Sequence, residues 1–252
     1  MNRKIAIVTG GSRGLGKNAI EKLAKNNVDI ILTYHSQADA AQAVVQSVEA
    51  QGGKAVALKL DTGASGSFDT FVAQVKTQLL QIWQRDTFDF LVNNAGVGLH
   101  ESFADTTEEQ FDLMMNVHLK GPFFLTQKLL PLMADGGRIL NVSSGLARFA
   151  LPGSSAYAIM KGAIEVLTRY QAKELGARGI TANVLAPGAI ETDFSGGMVR
   201  DNPEVNKIVS ANTALGRAGL PDDIGGMVAM MLSDEAGWMT AQRVEASGGM
   251  FI

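Results

Sequence analysis

Short apolar segments alternate with longer amphipathic segments along almost the whole chain. Several of the short segments, such as RILNVSS, are apolar over most of their length, which is typical of strands buried on both faces. The longer segments have helical periodicity, and this alternation builds a parallel sheet with helices on each side. We predict an α/β fold with a doubly wound parallel sheet whose seven strands are Lys4–Thr9, Val28–Tyr34, Ala55–Leu60, Phe88–Asn93, Arg138–Ser143, Thr181–Ala186 and Arg243–Ala246.

The length of the chain and its even composition indicate one domain. The 252 residues are 46% hydrophobic, which is enough to bury a substantial core, and neither an internal repeat nor a change in composition divides them. We therefore predict a single domain over residues 1–252. One long irregular segment runs from Pro187 to about Ala211, and because such loops are usually functional, we expect residues 187–211 to form the substrate loop.

The composition argues against several kinds of partner and location. The chain has no cysteine, so disulfides and thiolate ligands are excluded and a cytoplasmic location is expected. The net charge of −3 is spread without basic blocks, and no apolar run approaches a membrane span, so we expect neither a nucleic-acid nor a membrane partner. The histidines, His35, His100 and His118, have no ligand partner one helical turn away, and no metal site is expected.

A glycine-rich segment, TGGSRGLGK, follows the first predicted strand and precedes a helix. Two kinds of phosphate site have glycines in this place. Gly11, Gly16 and Lys17 have the spacing of a P-loop, but Asn18 stands where a hydroxyl ligand for magnesium is needed. The alternative is a dinucleotide-binding loop, in which the helix start holds a pyrophosphate through backbone N–H groups and the helix dipole. We favour this alternative, whose T-G-x-x-x-G-x-G motif is Thr9, Gly10, Gly14 and Gly16.

The end of the second predicted strand indicates which dinucleotide is bound. A carboxylate there would accept hydrogen bonds from a ribose 2′-hydroxyl and repel a 2′-phosphate. The chain instead has Tyr34, His35 and Ser36, and Arg13 lies in the glycine loop. Because a guanidinium pairs well with a phosphate, and His35 and Ser36 add donors, we predict NADP(H) rather than NAD(H).

Tyr157 and Lys161 form a Y-x-x-x-K pair at the predicted start of a helix. Residues four apart project from the same helix face, so their side chains can act together. Reduction of a ketone needs a proton for the carbonyl oxygen while hydride reaches the carbon, and a tyrosine can supply it if its pKa is lowered from about 10. We expect Lys161 and the helix N-terminus to lower this pKa.

Further motifs are spread along the chain: Asp61 after the third strand, NNAG at Asn93–Gly96, Asn116, Ser144 thirteen residues before Tyr157, PGAIET at Pro187–Thr192 and the tail VEASGGM. With the glycine loop and the Tyr–Lys pair, they resemble the short-chain dehydrogenase/reductase family over essentially the whole chain. Two positions depart from the family pattern: Thr62 replaces a usual Val or Leu, and Ala241 replaces a usual Gly. The resemblance implies a Rossmann-type fold, a nicotinamide cofactor, and a homotetramer assembled through the helices containing FFLTQKLLPLM and AYAIMKGAIEVLTRYQAKEL and the C-terminal segment.

The resemblance also implies a catalytic tetrad of Asn116, Ser144, Tyr157 and Lys161. Tyr157 is then the general acid/base, Lys161 also binds the nicotinamide ribose, and Asn116 holds a water in a proton relay to Lys161. Ser144 is expected to bind the substrate oxygen. Ser143 is the other candidate, which the family spacing places near the nicotinamide. The cofactor-binding residues expected are Gly10, Ser12, Arg13, Gly14, Leu15, Gly16, Tyr34, His35, Ser36, Asp61, Thr62, Asn93, Ala95, Gly96, Tyr157, Lys161, Pro187, Gly188, Ile190 and Thr192.

The function that these features predict is the reversible, NADP(H)-dependent reduction of a small-molecule ketone to a secondary alcohol. By the resemblance, an apolar substrate pocket lies above the carboxyl edge of the sheet, formed by Phe149, Phe194 and Met198, with Phe103 as a further candidate. A 3-oxoacyl-[acyl-carrier-protein] reductase is the alternative, for which Arg148, Arg200 and Lys207 offer a thin basic patch. A non-catalytic NADP-sensing module is a third possibility, but it would have no need of the tetrad.

Overall fold

The computed structural model describes residues 3–252, so residues 1–2 of the predicted domain lie outside the described residues. All seven strands lie parallel in one sheet, in the order β3-β2-β1-β4-β5-β6-β7. The predicted doubly wound, Rossmann-type sheet is confirmed. The strands are β1 Lys4–Val8, β2 Val28–Tyr34, β3 Ala55–Lys59, β4 Phe88–Asn93, β5 Met133–Val142, β6 Thr181–Pro187 and β7 Arg243–Ala246.

Six of the strand predictions match the structure to within one residue at each end, and β5 is the exception. It begins at Met133, five residues before the predicted start at Arg138. The register shifts along this strand, because Met133 pairs with Phe88 while Arg138 pairs with Phe90. Gly136 lies in this irregular part with a φ of +74°, so the apolar alternation that marks a strand is interrupted.

Helices connect the strands and cover both faces of the sheet. Successive residues of β1 point to opposite faces, and each face buries its own core. Ala6 and Val8 pack with α1, α2 and α9, whereas Ile5 and Ile7 pack with α3, α5 and the end of α6. The helices are α1 Gly14–Lys25, α2 Ala38–Glu49, α3 Phe68–Gln78, α4 Glu108–Met115, α5 Gly121–Leu129, α6 Ser155–Leu175, α7 Met198–Asp201, α8 Pro203–Ala211 and α9 Pro221–Met231.

The segment 187–211, expected to be irregular, contains two helices. Ser195, Gly196 and Gly197 form a tight turn with positive φ values, and α7 and α8 follow it. The Asn202 side chain caps α8 by accepting hydrogen bonds from the N–H groups of Glu204 and Val205, and a proline opens the helix. The expectation of an irregular segment is therefore wrong for its second half.

The order of the strands fixes where a ligand can bind. The chain runs outward from β1 to β3 and then returns to continue on the other side of β1 with β4. At such a switch point, the loops after β1 and β4 separate and leave a crevice at the carboxyl edge. None of the helices within residues 3–252 combines the length and apolar character needed to cross a lipid bilayer.

Candidate active site

The loop between β1 and α1 depends on glycine for its shape. Gly10 and Gly14 have φ values of +65° and +54°, in the left-handed region that glycine adopts without strain. A Cβ atom on Gly16 would lie 2.3 Å from the carbonyl oxygen of Gly10. The loop thus folds tightly over the start of α1, and its backbone is open to close approach by a ligand.

The start of α1 suits an anion. Arg13, the N-cap residue, makes no side-chain capping hydrogen bond, and the first turn contains no acidic residue. The first N–H groups of the helix therefore remain for a ligand, and the helix dipole favours negative charge there. Asn18, the residue that departs from the P-loop pattern, donates to Asp222 of α9 at 2.7 Å. These features fit the pyrophosphate of a dinucleotide and not a P-loop magnesium site.

Asn94, which the sequence analysis did not single out, ties the NNAG turn to the glycine loop. Its Nδ2 donates to the carbonyl oxygens of Thr9 and Gly10, at 2.9 and 3.2 Å. The Thr9 hydroxyl accepts hydrogen bonds from the backbone N–H groups of Asn94 and Ala95, both at 3.0 Å. The two loops that border the crevice are thereby held as one rigid floor.

The side chain of Asn93 does not belong to this floor. Its Nδ2 donates to Thr126 Oγ1 at 3.1 Å and to Asn141 Oδ1 at 2.8 Å, beneath the sheet. Asn93 is the last residue of β4, and strand alternation turns its side chain toward α5. This side chain holds β4, β5 and α5 together, so the predicted contact of Asn93 with the cofactor would have to come from its backbone at the carboxyl end of β4.

The loop that follows β6 closes the crevice from the other side. Thr192 lies near the glycine loop, since a Cβ atom added to Gly14 would be 3.7 Å from the Cβ of Thr192. Its hydroxyl accepts a hydrogen bond from the N–H of Phe194 at 3.2 Å. Ten more of the expected cofactor residues lie in this loop, in the glycine loop or at or after the ends of neighbouring strands: Ser12, Leu15, Tyr34, Ser36, Asp61, Thr62, Gly96, Pro187, Gly188 and Ile190.

The residues expected to recognise a 2′-phosphate are present but already paired with carboxylates. Arg13 Nη1 lies 3.3 Å from Asp193 Oδ2, and the Arg13 side chain is 62% exposed. His35 Nε2 lies 3.7 Å from Asp61 Oδ2, also at the surface. Exposed pairs of this kind are weak, so a phosphate can replace either carboxylate.

Ser144, Tyr157 and Lys161 meet at the carboxyl ends of β5 and β6. Lys161 is buried, and its Nζ donates to the carbonyl oxygen of Val142 at 2.7 Å while lying 5.4 Å from the centre of the Tyr157 ring. Ser144 follows β5, accepts a hydrogen bond from the N–H of Leu146 at 3.2 Å, and lies close enough to the Tyr157 hydroxyl to act on its pKa. The structure therefore brings together three of the four expected catalytic residues.

Burial sets the proton affinities of this cluster. It raises the pKa of Tyr157 well above the ordinary value for a phenol, and the neighbouring Ser144 hydroxyl opposes this only in part. Burial also lowers the pKa of Lys161 to about 7. The expectation that Lys161 lowers the Tyr157 pKa is wrong for this arrangement, because desolvation of the phenolate is the larger effect. Tyr157 is thus a protonated phenol at neutral pH.

The hydroxyl of Ser143 faces away from the crevice. Its oxygen lies 2.7 Å from Glu165 Oε1 and 3.1 Å from the carbonyl oxygen of Lys161, and its one proton is donated to the nearer carboxylate. Glu165 in turn accepts a hydrogen bond from Arg243 Nε at 2.7 Å. Ser143 therefore anchors α6 to the sheet rather than contacting a nicotinamide, and Ser144 is left as the serine beside Tyr157.

Asn116 opens a π-helical turn, Asn116–Lys120, between α4 and α5. Among the described residues its side chain makes none of the direct hydrogen bonds around Lys161, and its predicted role, which is to hold a water, stays a prediction. His118, two residues further along the turn, contacts Tyr157 directly. Its ring meets the Tyr157 ring edge to face, with centroids 5.0 Å apart and planes at 86°. A π-turn places one extra residue in the turn, so helical spacing does not foresee which side chain points inward.

Aromatic side chains border the catalytic cluster. The Phe194 ring, 44% exposed, lies 5.9 Å from the Tyr157 ring, and Phe149 packs against Phe251 at 4.8 Å. Met198, also exposed, begins α7 four residues after Phe194. Phe103 lies apart, between two surface clefts of about 320 and 290 Å³ whose linings do not include Tyr157.

Known proteins of the same architecture are similar to this chain over almost its whole length. The family model described as enoyl-(acyl carrier protein) reductase matches residues 10–251. The angucycline C-6 ketoreductase LanV, solved with bound NADP, is 39% identical with a TM-score of 0.94 and covers 98% of this chain and 95% of its own. The reductase LugOII, which catalyses keto-reduction at C1 during lugdunomycin biosynthesis, is 37% identical with a TM-score of 0.93, covering 99% and 98%.

A third relative has a different named substrate. The 3-oxoacyl-[acyl-carrier-protein] reductase FabG of Staphylococcus aureus is 31% identical over 251 residues, which are 99% of this chain and 98% of that protein. The fold, the glycine loop, the Ser144–Tyr157–Lys161 cluster and these matches agree. The chain is an oxidoreductase of the short-chain dehydrogenase/reductase family.

Proposed function

We propose that this chain is an NADP(H)-dependent ketoreductase that converts an apolar cyclic ketone to a secondary alcohol, reversibly. The observation that carries the proposal is the exposed Phe194 ring 5.9 Å from the Tyr157 ring, which gives the proton donor an apolar, aromatic wall. Flat apolar substrates stack favourably on such rings. LanV has also been solved with both NADP and rabelomycin bound, so a relative of this fold at 37% identity binds a ligand of that size beside its cofactor.

The residues of the cluster divide the chemistry among them. Ser144 donates a hydrogen bond to the carbonyl oxygen and stabilises the charge that develops there. Tyr157 gives its proton to that oxygen, and its raised pKa keeps it protonated and ready at neutral pH. Lys161, with a pKa of about 7, exchanges protons near neutrality, and its ammonium form stabilises the phenolate electrostatically until the phenolate regains a proton from solvent. The bound nicotinamide supplies the hydride.

The cofactor is NADP(H), held by the crevice at the carboxyl edge. The glycine loop and the start of α1 hold the pyrophosphate, and Arg13 with His35 and Ser36 binds the 2′-phosphate. Lys161 binds the nicotinamide ribose. Structures of two relatives at 37–39% identity, LanV and a blue fluorescent protein, contain NADP or NADPH.

An acyl-carrier-protein thioester is the second candidate substrate, supported by the likeness to FabG. Carrier docking needs free positive charge at the entrance, and two of the three basic residues considered for it are engaged. Arg148 Nη2 lies 2.7 Å from Glu245, and Arg200 Nη2 lies 2.7 Å from Asp201. The largely buried Glu245 carboxylate holds Arg148 away from docking, whereas the exposed Arg200–Asp201 pair can open, so the small ketone is favoured by the aromatic wall at Phe194.

A non-catalytic NADP sensor is the third candidate. A sensor without activity would not need a serine, tyrosine and lysine in one cluster.

The test is an NADPH-oxidation assay with 1-tetralone, cyclohexanone and acetoacetyl-CoA, repeated with NADH. We expect the highest kcat/KM for the bicyclic aryl ketone. Phe194→Ala should raise its KM about tenfold through loss of the aromatic wall, whereas Phe103→Ala, the matched control at an exposed ring in clefts that Tyr157 does not line, should change it little. Higher kcat/KM for acetoacetyl-CoA would favour the second candidate, and no NADPH oxidation with any ketone would favour the sensor.

The homotetramer and the cytoplasmic location remain part of the proposal. Apolar side chains on α5 and α6 are exposed in the single chain, as the predicted assembly through these helices requires: Phe123, Phe124, Ile159, Val166 and Tyr170. Light scattering should give about four times the 26.7 kDa chain mass. A stable monomer would contradict the assembly.

A further inference from the structure

Glu165 is a largely buried carboxylate that the proposed chemistry does not use. It lies on α6 one helical turn beyond Lys161, and its side chain is 16% exposed. One of its oxygens, Oε1, accepts two hydrogen bonds, from the Ser143 hydroxyl and from Arg243 Nε, both at 2.7 Å. A carboxylate removed from water needs such partners, because its desolvation is otherwise costly. A single atom on α6 thus joins the chain after β5 to β7.

Arg243 extends this connection to Ser144. Its Nη2 lies 3.4 Å from the backbone carbonyl oxygen of Ser144, and its Nη1 lies 2.8 Å from Glu245 Oε2. The planar guanidinium reaches three partners with three nitrogens, which the single nitrogen of a lysine cannot do. Arg243 therefore contacts from β7 the same turn of chain that Glu165 contacts from α6.

The backbone around Ser144 is fixed on both sides by these contacts. On the preceding side Ser143 is buried, and its N–H donates to the carbonyl oxygen of Leu185 at 2.8 Å while its hydroxyl donates to Glu165. On the following side the Ser144 carbonyl oxygen faces Arg243. A rotation of the Ser144 backbone would break contacts on one side or the other. The position of its side chain at the catalytic cluster therefore depends on Glu165 and Arg243.

The charges of this network balance one another. Arg148, at the end of the turn that follows Ser144, donates to Glu245 Oε2 and Oε1 at 2.9 and 2.7 Å. These hydrogen bonds lower the pKa of Glu245 to about 2, so its carboxylate is charged throughout the working range. The two carboxylates, Glu165 and Glu245, thus alternate with two guanidinium groups, Arg243 and Arg148. What Glu165 supplies to the turn is an acceptor in the right place rather than a free charge.

We propose that Glu165 is a positioning residue for the reduction, which keeps the Ser144 hydroxyl beside Tyr157. It does so through the two donors that its Oε1 holds, Ser143 and Arg243. This rests on the proposed function, in which Ser144 stabilises the substrate oxygen, and Glu165 itself gives and takes no proton. Displacement of a catalytic group by about 1 Å can cost about a hundredfold in rate, so a serine turn released from this oxygen should reduce the ketone more slowly.

Three glutamate substitutions separate the acceptor from the charge. Glu165→Gln keeps an oxygen acceptor in the same place and removes the charge, whereas Glu165→Leu removes the acceptor at nearly the same volume. Glu174→Leu, at an exposed position near the end of the same helix, is the matched control. With NADPH and the best ketone of the panel, we expect kcat within about threefold of the parent for Glu165→Gln and Glu174→Leu, and a loss of about tenfold or more for Glu165→Leu. A loss in Glu165→Gln as large as in Glu165→Leu would overturn the proposal.

The effect of Glu165→Leu in a Ser144→Ala background distinguishes positioning from a merely structural role. If Glu165 acts by placing the Ser144 hydroxyl, its removal should cost less than about twofold in kcat once that hydroxyl is gone. A structural role would lower kcat by the same factor in both backgrounds, and this additive result would overturn the proposal. The Kd of NADPH, followed by protein fluorescence, should change by less than about threefold. A loss of affinity as large as the loss of kcat would show a general loosening of the site and would also overturn the proposal.

Ser143→Ala provides the same test if Glu165→Leu does not fold. It removes one of the two donors and leaves the ion pair of Glu165 and Arg243 intact. We expect it to lower kcat about threefold to tenfold in the parent and less than about twofold in Ser144→Ala, and equal factors in the two backgrounds would overturn the proposal. A parental kcat in Ser144→Ala alone is a separate outcome: it would show that the proposed role of Ser144 in the reduction is wrong, and the role of Glu165 with it.

Discussion

The Lys161 amino group lies 5.4 Å from the centre of the Tyr157 ring, one helical turn along α6, and donates to the Val142 carbonyl at 2.7 Å. The ammonium is thus fixed by β5 beside the phenol, within electrostatic range of it but not hydrogen-bonded to it. Both groups are desolvated, which favours the neutral phenol and the neutral amine. The cluster is therefore prepared to donate protons and to replace them near neutral pH.

This burial of Lys161 predicts a stability that rises with pH. The native lysine loses its proton near pH 7 and the unfolded lysine near 10.5, so between these values the unfolded state binds more protons and the free energy of unfolding increases with pH. Lys161→Met should therefore be more stable than the parent at pH 6, with a higher Tm. The free energy of unfolding should rise by about 1–3 kcal/mol, which already allows for the lost hydrogen bond to Val142, and this gain should shrink toward pH 10.

The control is Lys173→Met, at an exposed position of the same helix. It should change Tm by little at either pH, because an exposed ammonium has no desolvation cost to relieve. A lower Tm for Lys161→Met than for the parent at pH 6 would contradict the burial argument.

The Arg13–Asp193 pair predicts how cofactor preference is set. Arg13→Ala should lower kcat/KM for NADPH about tenfold to a hundredfold and leave kcat/KM for NADH nearly unchanged, because only NADPH has the 2′-phosphate that the guanidinium binds. Asp193→Asn should lower the KM for NADPH, since it removes the carboxylate that competes for Arg13. An unchanged ratio of the two cofactors in Arg13→Ala would contradict the assignment.

Ala241 predicts a stabilising substitution. Its φ of +59° lies in the left-handed region, where a side chain costs about 1 kcal/mol or more, and its N–H donates to the carbonyl of Ala182 at 2.7 Å, so the strained backbone is held in place. Ala241→Gly should raise stability by about 1 kcal/mol in a urea titration. Ala43→Gly, at an exposed position inside α2, is the matched control and should lower it by a similar amount. The same sign for both substitutions would argue against strain at Ala241.

Sequence alone predicted what local patterns determine. Strands such as β2 and β4 are apolar throughout and are bounded by clear breaks, so their ends were found, and the Tyr157–Lys161 pair follows from helical spacing. The helix at 203–211 was missed although its signals were present: Asn202 caps it and Pro203 opens it. The two glycines at 196–197, which are typical of a loop, led to the prediction of an irregular segment instead.

The parts of the site that were mispredicted depend on packing. His118 points inward because a π-turn rotates the chain after α4, and no spacing rule reports such a turn. The Asn93 side chain lies on the α5 face of the sheet because side chains alternate along β4 and Asn93 is its last residue. The direction of the Tyr157 pKa depends on how much water the fold removes around the phenol, which only the assembled loops determine.

The most direct test of the central claim is the rate of ketone reduction by Tyr157→Phe with saturating NADPH. The account predicts that kcat falls at least about a hundredfold while the affinity for NADPH changes by less than about threefold, because the variant lacks only the hydroxyl proton. Tyr170→Phe, an exposed tyrosine on the same helix, should keep the parental rate. If Tyr157→Phe retained more than about a hundredth of the parental kcat, Tyr157 would not be the proton donor.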